Sequence, residues 1–402
     1  MSRIAVVGAG AAGLFVAGLL ADNGHQVTVF DKNEKPGKKL FITGKGRCNL
    51  TNLCEPDDFL KNVVRGDKFL RSAIYSFTSQ DCVRFFNGLG LETKVERGNR
   101  VFPQSDKSSN VIKALEKHCK KVEFRFCCEV ENVYKHENQF VVTTKNGKFD
   151  FGRVIIATGG ASYKATGCDG AGYKFAKAFG HTIEEIVPAL CPIKLKDKFV
   201  KSLQGVSLKN VCLNCVADGK KMSFFGEMLF TDIGISGPIV LTASSYVNRS
   251  QNVELSIDFK PALDEKQLDA RLLRDFEENK NKDLKNVLKG LLPKAVADIF
   301  AQAVGLDENK KIHDITKKER ESLLLGLKHF DLTYAGLYDI DAGIVTSGGV
   351  SLKEVNPKTF ESKLVDGLYF VGEVLDVDAL TGGFNLQIAW ATAYACVKNM
   401  RE

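Results

Sequence analysis

The feature that most restricts the fold is a glycine-rich loop that joins an apolar strand to a helix near the amino terminus. Arg3–Val7 is a short β-branched run of the kind found in buried parallel strands. A helix is predicted at residues 12–23 and a second strand at 25–30, with Asp31 at its end. The loop forms a complete G-x-G-x-x-G pattern, spelled by Gly8, Ala9, Gly10, Ala11, Ala12 and Gly13.

Each part of this arrangement has a separate role in binding a dinucleotide. Gly8 permits the tight turn, Gly10 lets the backbone approach a pyrophosphate, and Gly13 allows close packing of the helix on the strand. The helix amino terminus offers free N–H groups and partial positive charge to the phosphates. Asp31 would accept hydrogen bonds from the ribose hydroxyls and argues against a 2′-phosphate there, and Lys32 beside it belongs to the same predicted site. The pattern therefore predicts a Rossmann-type dinucleotide site.

Two later segments favour FAD as the bound dinucleotide. Residues 152–160 form an apolar strand with a glycine-containing end, and residues 367–373 form another strand that ends in a glycine and an acid. Both resemble motifs of two-dinucleotide-binding flavoproteins that return the chain to the nucleotide and hold the ribityl chain and the phosphates. The acid there is commonly Asp, so the Glu of this chain is a departure. The cofactor contacts predicted from these segments are Thr158, Gly159, Gly160, Gly372 and Glu373.

The last helix, predicted at residues 386–397, begins beside paired glycines. Such glycines let a ligand touch the backbone, and the helix dipole favours negative charge at this end. A reduced flavin carries negative charge around N1 and O2, so the helix terminus would stabilise it. An ordinary helix cap is the alternative interpretation. The predicted contacts in this region are Asp376, Gly383, Asn385 and Leu386.

Four longer motifs carry a family resemblance that covers essentially the whole chain. They are the segments 37–52, 229–238, 345–350 and 372–387. With these motifs the chain resembles the NAD(P)/FAD-dependent flavoproteins that include 3-dehydro-bile-acid reductases and aminoacetone oxidase. Many relatives carry His at the position of Asp232, so any acid–base role of that His cannot be transferred to this chain.

The resemblance implies that the basic, glycine-containing loop 37–52 wraps the FAD. Arg47 is interpreted as a phosphate clamp, because a guanidinium binds phosphate through two parallel hydrogen bonds. The usual backbone contact to adenine in this class corresponds to Val130, in a strand predicted at 126–133. The flavin neighbours that the resemblance implies in the loop are Lys39, Gly44, Gly46, Arg47, Cys48 and Asn49.

The order of the motifs predicts an α/β fold with a discontinuous Rossmann-type FAD-binding domain, because its last strand and helix lie at the carboxyl terminus. This domain is expected at residues 1–190 and 341–402. A small β-barrel domain is expected at 191–260 and 331–340, where short strand-like runs alternate. A helical domain is expected at 261–330, where Val296, Phe300 and Val304 repeat every four residues.

Charge and cysteine content exclude several other classes. The formal charge of +7 is small for 402 residues, and residues 261–330 contain 14 Lys and Arg against 13 Asp and Glu. This balance argues against nucleic acid as a partner. No apolar run reaches the length of a membrane span, and the 11 scattered cysteines are typical of reduced thiols in a cytoplasmic protein. Cys212 and Cys215 are predicted on opposite faces of one strand, and no set of metal ligands is recognised.

The predicted activity is reduction of an enone-like small molecule at the flavin N5, with NAD(P)H as the electron donor. No second G-x-G-x-x-G follows a strand, so a nicotinamide would bind transiently without its own Rossmann domain or would not bind at all, which leaves an oxidase open. The alternatives are a flavin oxidase of a small amine such as aminoacetone, and a non-redox FAD-binding protein. No catalytic acid or base is assigned, and Tyr163 and Tyr338 are the two candidate proton donors.

Overall fold

A computed structural model describes residues 2–400, and the chain divides into two compact units. The first unit comprises Met1–Ala189 and Ile340–Glu402, and the second comprises Leu190–Asp339. Each unit has its own cluster of buried apolar side chains. The separation of the second unit into a barrel domain and a helical domain stays a prediction.

The first unit is built mostly from the amino-terminal part of the chain. Its helices there are α1 Ala11–Asp22, α2 Lys38–Gly46, α3 Pro56–Leu60, α4 Asp67–Ser76, α5 Ser79–Gly88, α6 Ser108–His118 and α7 Ala171–Ala178. Its strands there are β1 Arg3–Val7, β2 Gln26–Phe30, β3 Thr51–Asn52, β4 Val63–Arg65, β5 Thr93–Glu96, β6 Arg100–Pro103, β7 Glu123–Arg125, β8 Val130–His136, β9 Gln139–Thr144, β10 Gly147–Phe151, β11 Arg153–Ile156 and β12 Val187–Ala189.

The second unit and the return to the first unit follow. The strands of the second unit are β13 Ile193–Leu195, β14 Ser207–Ala217, β15 Lys220–Phe230, β16 Gly234–Ser236, β17 Val253–Asp258, β18 Phe330–Leu332 and β19 Tyr334–Leu337. Its helices are α8 Pro238–Val247, α9 Glu265–Glu278, α10 Leu284–Leu288, α11 Lys294–Ala303 and α12 Lys317–Lys328. The chain then adds β20 Val345–Ser347, β21 Leu368–Phe370, β22 Asp378–Ala379 and α13 Phe384–Lys398 to the first unit.

A five-stranded parallel sheet forms the centre of the first unit. Its strand order is β7-β2-β1-β11-β21, and every neighbouring pair runs parallel. The apolar runs of β1 and β11 are almost fully buried, as expected for strands covered on both faces. The predicted Rossmann-type α/β fold is confirmed, and the carboxyl-terminal strand β21 completes the sheet that begins at residue 3.

Helix α13 packs along α1 and completes the core of the first unit. Trp390 is fully buried on α13, and its Nε1 donates a hydrogen bond of 3.0 Å to the Leu50 carbonyl oxygen. Ala389 and Ala393 are buried on the same helix, and small side chains of this kind allow close helix packing. Replacement of a buried aromatic such as Trp390 by alanine typically costs about 3–5 kcal/mol, so docking of this helix matters for stability.

A seven-stranded antiparallel sheet with the order β18-β17-β14-β15-β16-β13-β19 lies in the second unit, where a small barrel is predicted. The helices α9–α12 share its hydrophobic core. Val296 and Phe300 are buried on α11 as the four-residue repeat predicts, and Val304 lies just beyond the helix end. Cys212 is half-buried while Cys215 is buried, in agreement with their prediction on opposite faces of one strand.

One predicted strand begins later than expected. The sequence predicts a strand at 126–133, whereas β8 starts at Val130. Cys127 has a left-handed φ of 51°, and its N–H donates to the Asn33 carbonyl oxygen at 2.9 Å, so this stretch hydrogen-bonds to the loop after β2 instead. None of the helices in the described range 2–400 has the length and apolarity needed to cross a membrane.

Candidate functional site

The three glycines of the amino-terminal loop differ in what surrounds them. A Cβ on Gly8 would lie 2.6 Å from the Ala157 carbonyl oxygen, and a Cβ on Gly13 would overlap the Gly8 carbonyl oxygen. A Cβ on Gly10 would have no described atom within 4 Å. Packing against β11 and within the loop therefore requires glycine at 8 and 13, whereas Gly10 faces open space that a ligand can occupy.

Asp31 holds this loop in place. One of its carboxylate oxygens accepts a hydrogen bond of 2.7 Å from the Ala9 N–H, and the other accepts one of 2.7 Å from the Asn33 N–H. A carboxylate has about four acceptor sites, so lone pairs remain for the ribose hydroxyls of the predicted site. The structure thus adds a loop-fixing role to the ribose contact that the sequence predicts for Asp31.

The predicted adenosine end of the site lies beside a shallow pocket of about 230 Å³. Lys32 lines this pocket and also forms an ion pair of 2.6 Å with Asp169. Val130 is buried at the start of β8, two residues after Cys128 of the pocket lining. The structure therefore places Lys32 and Val130 in one region, and the adenine contact of Val130 stays a prediction.

A half-buried ion pair joins predicted cofactor residues from the two ends of the chain. The Lys39 ammonium lies 3.0 and 2.9 Å from the two carboxylate oxygens of Glu373 and donates a hydrogen bond of 2.8 Å to Ser162 Oγ. Burial is the largest influence and would lower the pKa of Lys39, but the attraction of Glu373, Cys168 and Tyr163 together outweighs it and holds that pKa above its usual value. Lys39 therefore stays positively charged at this site.

Thr346 connects this ion pair to the loop after β11. Its N–H donates to Glu373 at 2.9 Å, and its Oγ1 accepts hydrogen bonds from the N–H groups of Ala161 at 2.8 Å and Ser162 at 3.2 Å. A Cβ on Gly160 would overlap Thr346 Oγ1, so the predicted contact Gly160 is required for this approach. Neither Ser162 nor Thr346 is among the contacts predicted from the sequence, although Thr346 lies in one of the four family motifs.

The other predicted contacts of these two loops are also close to the site. Gly159 has a left-handed φ of 72°, and a Cβ there would lie 3.0 Å from Cys168 Sγ. A Cβ on Gly172 would overlap Thr158 Oγ1, and a Cβ on Gly372 would lie 3.0 Å from that of Ala12. The loop after β21 is therefore brought against the first turn of α1, and the loop after β11 lies against Cys168 and Gly172.

The last residues of α2 and those just after it have an irregular backbone and include a buried cysteine. Gly44, Lys45, Gly46 and Cys48 all have positive φ between 57° and 83°. Burial raises the pKa of the Cys48 thiol to about 12, which does not suit a reactive thiolate. A Cβ on Gly46 would have no described atom within 4 Å, so open space adjoins the loop there.

Arg47 forms contacts within the protein that the sequence does not predict. Its guanidinium donates hydrogen bonds of 2.8 and 3.2 Å to Glu96 and one of 3.3 Å to Asp106, and it lies 4.0 Å over the Phe102 ring. These contacts use three of the five N–H donors of the guanidinium, so two remain for a ligand. The structure shows this side chain fixing the loop against the β5–β6 hairpin, and its phosphate contact stays a prediction.

The amino terminus of α13 lies against β3. A Cβ on Gly383 would overlap the Thr51 backbone, and the Asn385 side chain accepts from the Ala379 N–H at 3.0 Å and donates to the Ala379 carbonyl oxygen at 2.7 Å. Asn385 thus fixes the turn before the helix with its side chain, and the backbone N–H groups of Phe384, Asn385 and Leu386 in the first turn remain for a ligand. The Asp376 N–H donates to the carbonyl oxygen of Val350 at 3.1 Å.

These residues fit FAD in two respects. The Asn49 Oδ1 and Thr51 Oγ1 atoms are buried and have no hydrogen-bond partner among the described residues, so this region lacks donors of the kind that a flavin N3–H supplies. The helices α1 and α13 both begin at a glycine without a side-chain cap, so each leaves N–H groups for a negatively charged ligand. The open space at Gly10 lies at the first of these termini.

The family comparison agrees with the fold. The family described as HI0933-like protein Rossmann domain matches residues 2–399 of the chain. The chain belongs to this family.

Members and fold relatives are named as redox enzymes. The chain is 32% identical over 402 residues to the 3-dehydro-bile acid delta(4,6)-reductase of Clostridium scindens, covering 98% of each protein. It is 33% identical over 400 residues to the ribosomal RNA dihydrouridine synthase of Haemophilus influenzae, covering 97% of this chain and 96% of that protein. A 3-ketosteroid-delta4-(5alpha)-dehydrogenase from Rhodococcus jostii shares the fold, with a TM-score of 0.51, 13% identity, and coverage of 99% of this chain and 97% of that one. The chain is an FAD-dependent oxidoreductase of the HI0933-like family.

Proposed function

We propose that this chain reduces a carbon–carbon double bond conjugated to a carbonyl in a small molecule, with NAD(P)H as the electron donor. One observation carries the proposal: two full-length relatives with different substrates act on the same kind of bond. A 3-dehydro-bile acid with delta(4,6) unsaturation has double bonds conjugated to its 3-carbonyl. Dihydrouridine differs from uridine by two hydrogens across a double bond that is conjugated to a ring carbonyl.

The site has the charges that such a reduction needs. Bound FAD would take up two electrons and pass them on as hydride from N5. The amino terminus of α13 would stabilise the negative charge of the reduced cofactor, and the half-buried Lys39, paired with Glu373, belongs to the same predicted site. Glu373 and Thr346 hold Lys39 and the loop after β11 in a single arrangement. These residues would bind and orient, and they supply no electrons themselves.

The nicotinamide would bind without a Rossmann domain of its own. The segment around Gly170 opens α7, but the element before it is a 3-10 turn at Lys164–Thr166 and not a strand. A dinucleotide fingerprint needs a strand before its glycine turn. NAD(P)H is therefore proposed as a transient donor that arrives, reduces the flavin and leaves.

Uracil within RNA is a second candidate substrate, because a relative that is 33% identical over nearly its full length is named a ribosomal RNA dihydrouridine synthase. The bond to be reduced has the same chemistry in both candidates. We rank the small molecule first because residues 261–330 carry nearly equal numbers of both charges. Nucleic-acid binders concentrate basic residues to displace phosphate counterions.

Anaerobic mixing tests the proposal in two steps. The FAD-loaded protein is mixed with NADH or NADPH, and bleaching of the visible flavin band is expected. The reduced protein is then mixed with a conjugated steroid dienone, with unmodified ribosomal RNA, or with dioxygen. Rapid reoxidation by the dienone with formation of the saturated product supports the proposal, and reoxidation by RNA alone supports the second candidate. Reduction by a small amine and reoxidation by dioxygen alone would indicate an oxidase, and no bleaching with any donor would indicate a non-redox role.

A further inference from the structure

Reduction of a conjugated double bond needs a proton as well as a hydride. The hydride adds to the carbon β to the carbonyl, and a proton must reach the α carbon from a positioned acid. The inference below rests on the proposed function and concerns the source of this proton. The two tyrosines that the sequence offers, Tyr163 and Tyr338, have different surroundings in the structure.

Tyr163 is held in a conformation that a bulky residue rarely adopts. Its φ of 57° and ψ of 56° lie in the left-handed region, where the side chain clashes with its own backbone. The carbonyl oxygen of Tyr163 accepts hydrogen bonds from the N–H and the hydroxyl of Thr166 at 2.8 and 2.7 Å. The Lys164 N–H donates to Asp341 at 2.6 Å, and the Ser162 N–H donates to Thr346.

These contacts keep the residues on both sides of Tyr163 in place. A strained conformation of this kind persists only where the surroundings enforce it, and such residues are concentrated at functional sites. The same loop carries the predicted cofactor contacts Thr158, Gly159 and Gly160. Tyr163 is therefore a fixed, half-buried phenol three residues beyond that segment.

The surroundings of the Tyr163 ring suit proton donation. The Lys39 ammonium lies 6.0 Å from the ring centroid, so the ring lies beside the ion pair of the predicted cofactor site. The Tyr163 hydroxyl has no hydrogen-bond partner within residues 2–400, so it is free to donate to a ligand. Ser162 Oγ accepts from Lys39, and the neighbouring Cys168 thiol is largely buried with a raised pKa.

Tyr338 differs in this respect. Its hydroxyl lies 2.9 Å from Thr231 Oγ1 and donates to an Asp232 carboxylate oxygen at 3.3 Å. Donation to a carboxylate holds the proton on the phenol, and burial and the Asp232 charge raise the pKa of Tyr338. The structure therefore favours Tyr163 over Tyr338.

We propose that Tyr163 is the catalytic proton donor of the reduction. The O–H bond of its phenol breaks and a C–H bond forms at the carbon α to the carbonyl. The hydride that NAD(P)H supplies through the bound cofactor forms the C–H bond at the β carbon. Water then returns a proton to the phenolate, so one NAD(P)H and one proton are consumed for each double bond reduced.

Tyr163→Phe separates this role from a structural one, because it removes only the hydroxyl. The variant should retain FAD, melt at the temperature of the wild type and bleach at the same rate with NAD(P)H. Reoxidation of its reduced flavin by the conjugated substrate should slow by about 100-fold or more, the usual effect of losing a general acid. Tyr75→Phe is the matched control, since that exposed hydroxyl bonds only to Asp57 on the surface of the same unit.

A second readout does not depend on turnover. With oxidised enzyme in deuterium oxide, the wild type should exchange the α hydrogen of the saturated ketone product, and Tyr163→Phe should not. Equal exchange, or reoxidation within about threefold of the wild type, overturns the assignment to Tyr163 while the proposed function stands. Failure of every conjugated substrate to reoxidise the wild-type flavin overturns the proposed function and this assignment with it. Slow reoxidation in Tyr338→Phe but not in Tyr163→Phe would transfer the role to Tyr338.

Discussion

Replacement of Gly10 by alanine separates the cofactor-binding role of the amino-terminal loop from its structural role. Gly10 has φ −82° and ψ −165°, an extended conformation that alanine adopts without strain. The added Cβ would have no described atom within 4 Å. The protein itself therefore accommodates the methyl group, and any clash must come from a bound molecule.

The expected magnitudes follow from these two facts. Alanine in place of glycine at a compatible position stabilises a fold by about 0.4–1 kcal/mol. Alanine is also a poorer N-cap than glycine, and Gly10 caps α1, so the stability of the cofactor-free variant should lie within about 1 kcal/mol of the wild type. Pushing the pyrophosphate off the backbone would lose one charge-assisted hydrogen bond or more, each contributing about 1.5–3 kcal/mol. This loss corresponds to roughly 10- to 100-fold weaker FAD binding.

The assay titrates cofactor-free protein with FAD and follows the quenching of flavin fluorescence. Thermal unfolding with and without saturating FAD gives an independent value, because each tenfold loss of affinity lowers the stabilisation by about 1.4 kcal/mol at fixed FAD. Gly88→Ala is the matched control, since Gly88 also has ordinary φ and open space but lies on α5. If Gly10→Ala binds FAD as tightly as the wild type, the pyrophosphate does not approach this loop and the site is misplaced.

Three further outcomes are expected from the same structure. Glu373→Gln should lower the free energy of unfolding in urea by about 2 kcal/mol, because it leaves the partly buried lysine beside it without its counter-charge. Burial lowers the pKa of His118, so the unfolded state binds more protons below about pH 6.5 and the free energy of unfolding should fall from pH 7.5 to 5.5. This decrease should be smaller in His118→Gln and unchanged in the control variant His313→Gln, in which an exposed histidine is replaced. Iodoacetamide at pH 8 should modify exposed Cys127 within minutes and leave buried Cys48 intact until unfolding, as read by peptide mass spectrometry.

The sequence correctly predicts those strands and helices whose ends are marked by neighbouring residues. The apolar run of β1 is bounded by Gly8, so its end is fixed in the sequence, and the predicted strand and the observed Arg3–Val7 coincide. The helix predicted at 12–23 is observed at Ala11–Asp22, a shift of one residue. The strand predicted at 126–133 starts late, because the left-handed Cys127 breaks an otherwise strand-like run. Nothing in the local composition signals that turn.

Contacts between distant residues could not be read from the sequence in the same way. Lys39 and Glu373 are 334 residues apart, and their pairing depends on β21 and β11 lying side by side in the sheet. Arg47 is a residue type that often binds phosphate, but its guanidinium forms an ion pair with Glu96 on the β5–β6 hairpin. The residue types therefore show that the loop is basic, and only the tertiary structure shows which acidic side chain pairs with each basic one.

The contacts between the two ends of the chain couple cofactor binding to the docking of the carboxyl-terminal segment on the first unit. Gly372 packs against Ala12 at the first turn of α1, and Glu373 pairs with Lys39, so the carboxyl-terminal segment contributes to the site only when it is docked on the amino-terminal part. A ligand that binds only the docked form stabilises that form in proportion to its affinity. The FAD bound to this unit would therefore hold its two chain segments together, and release of FAD should loosen α13 before it loosens the central sheet.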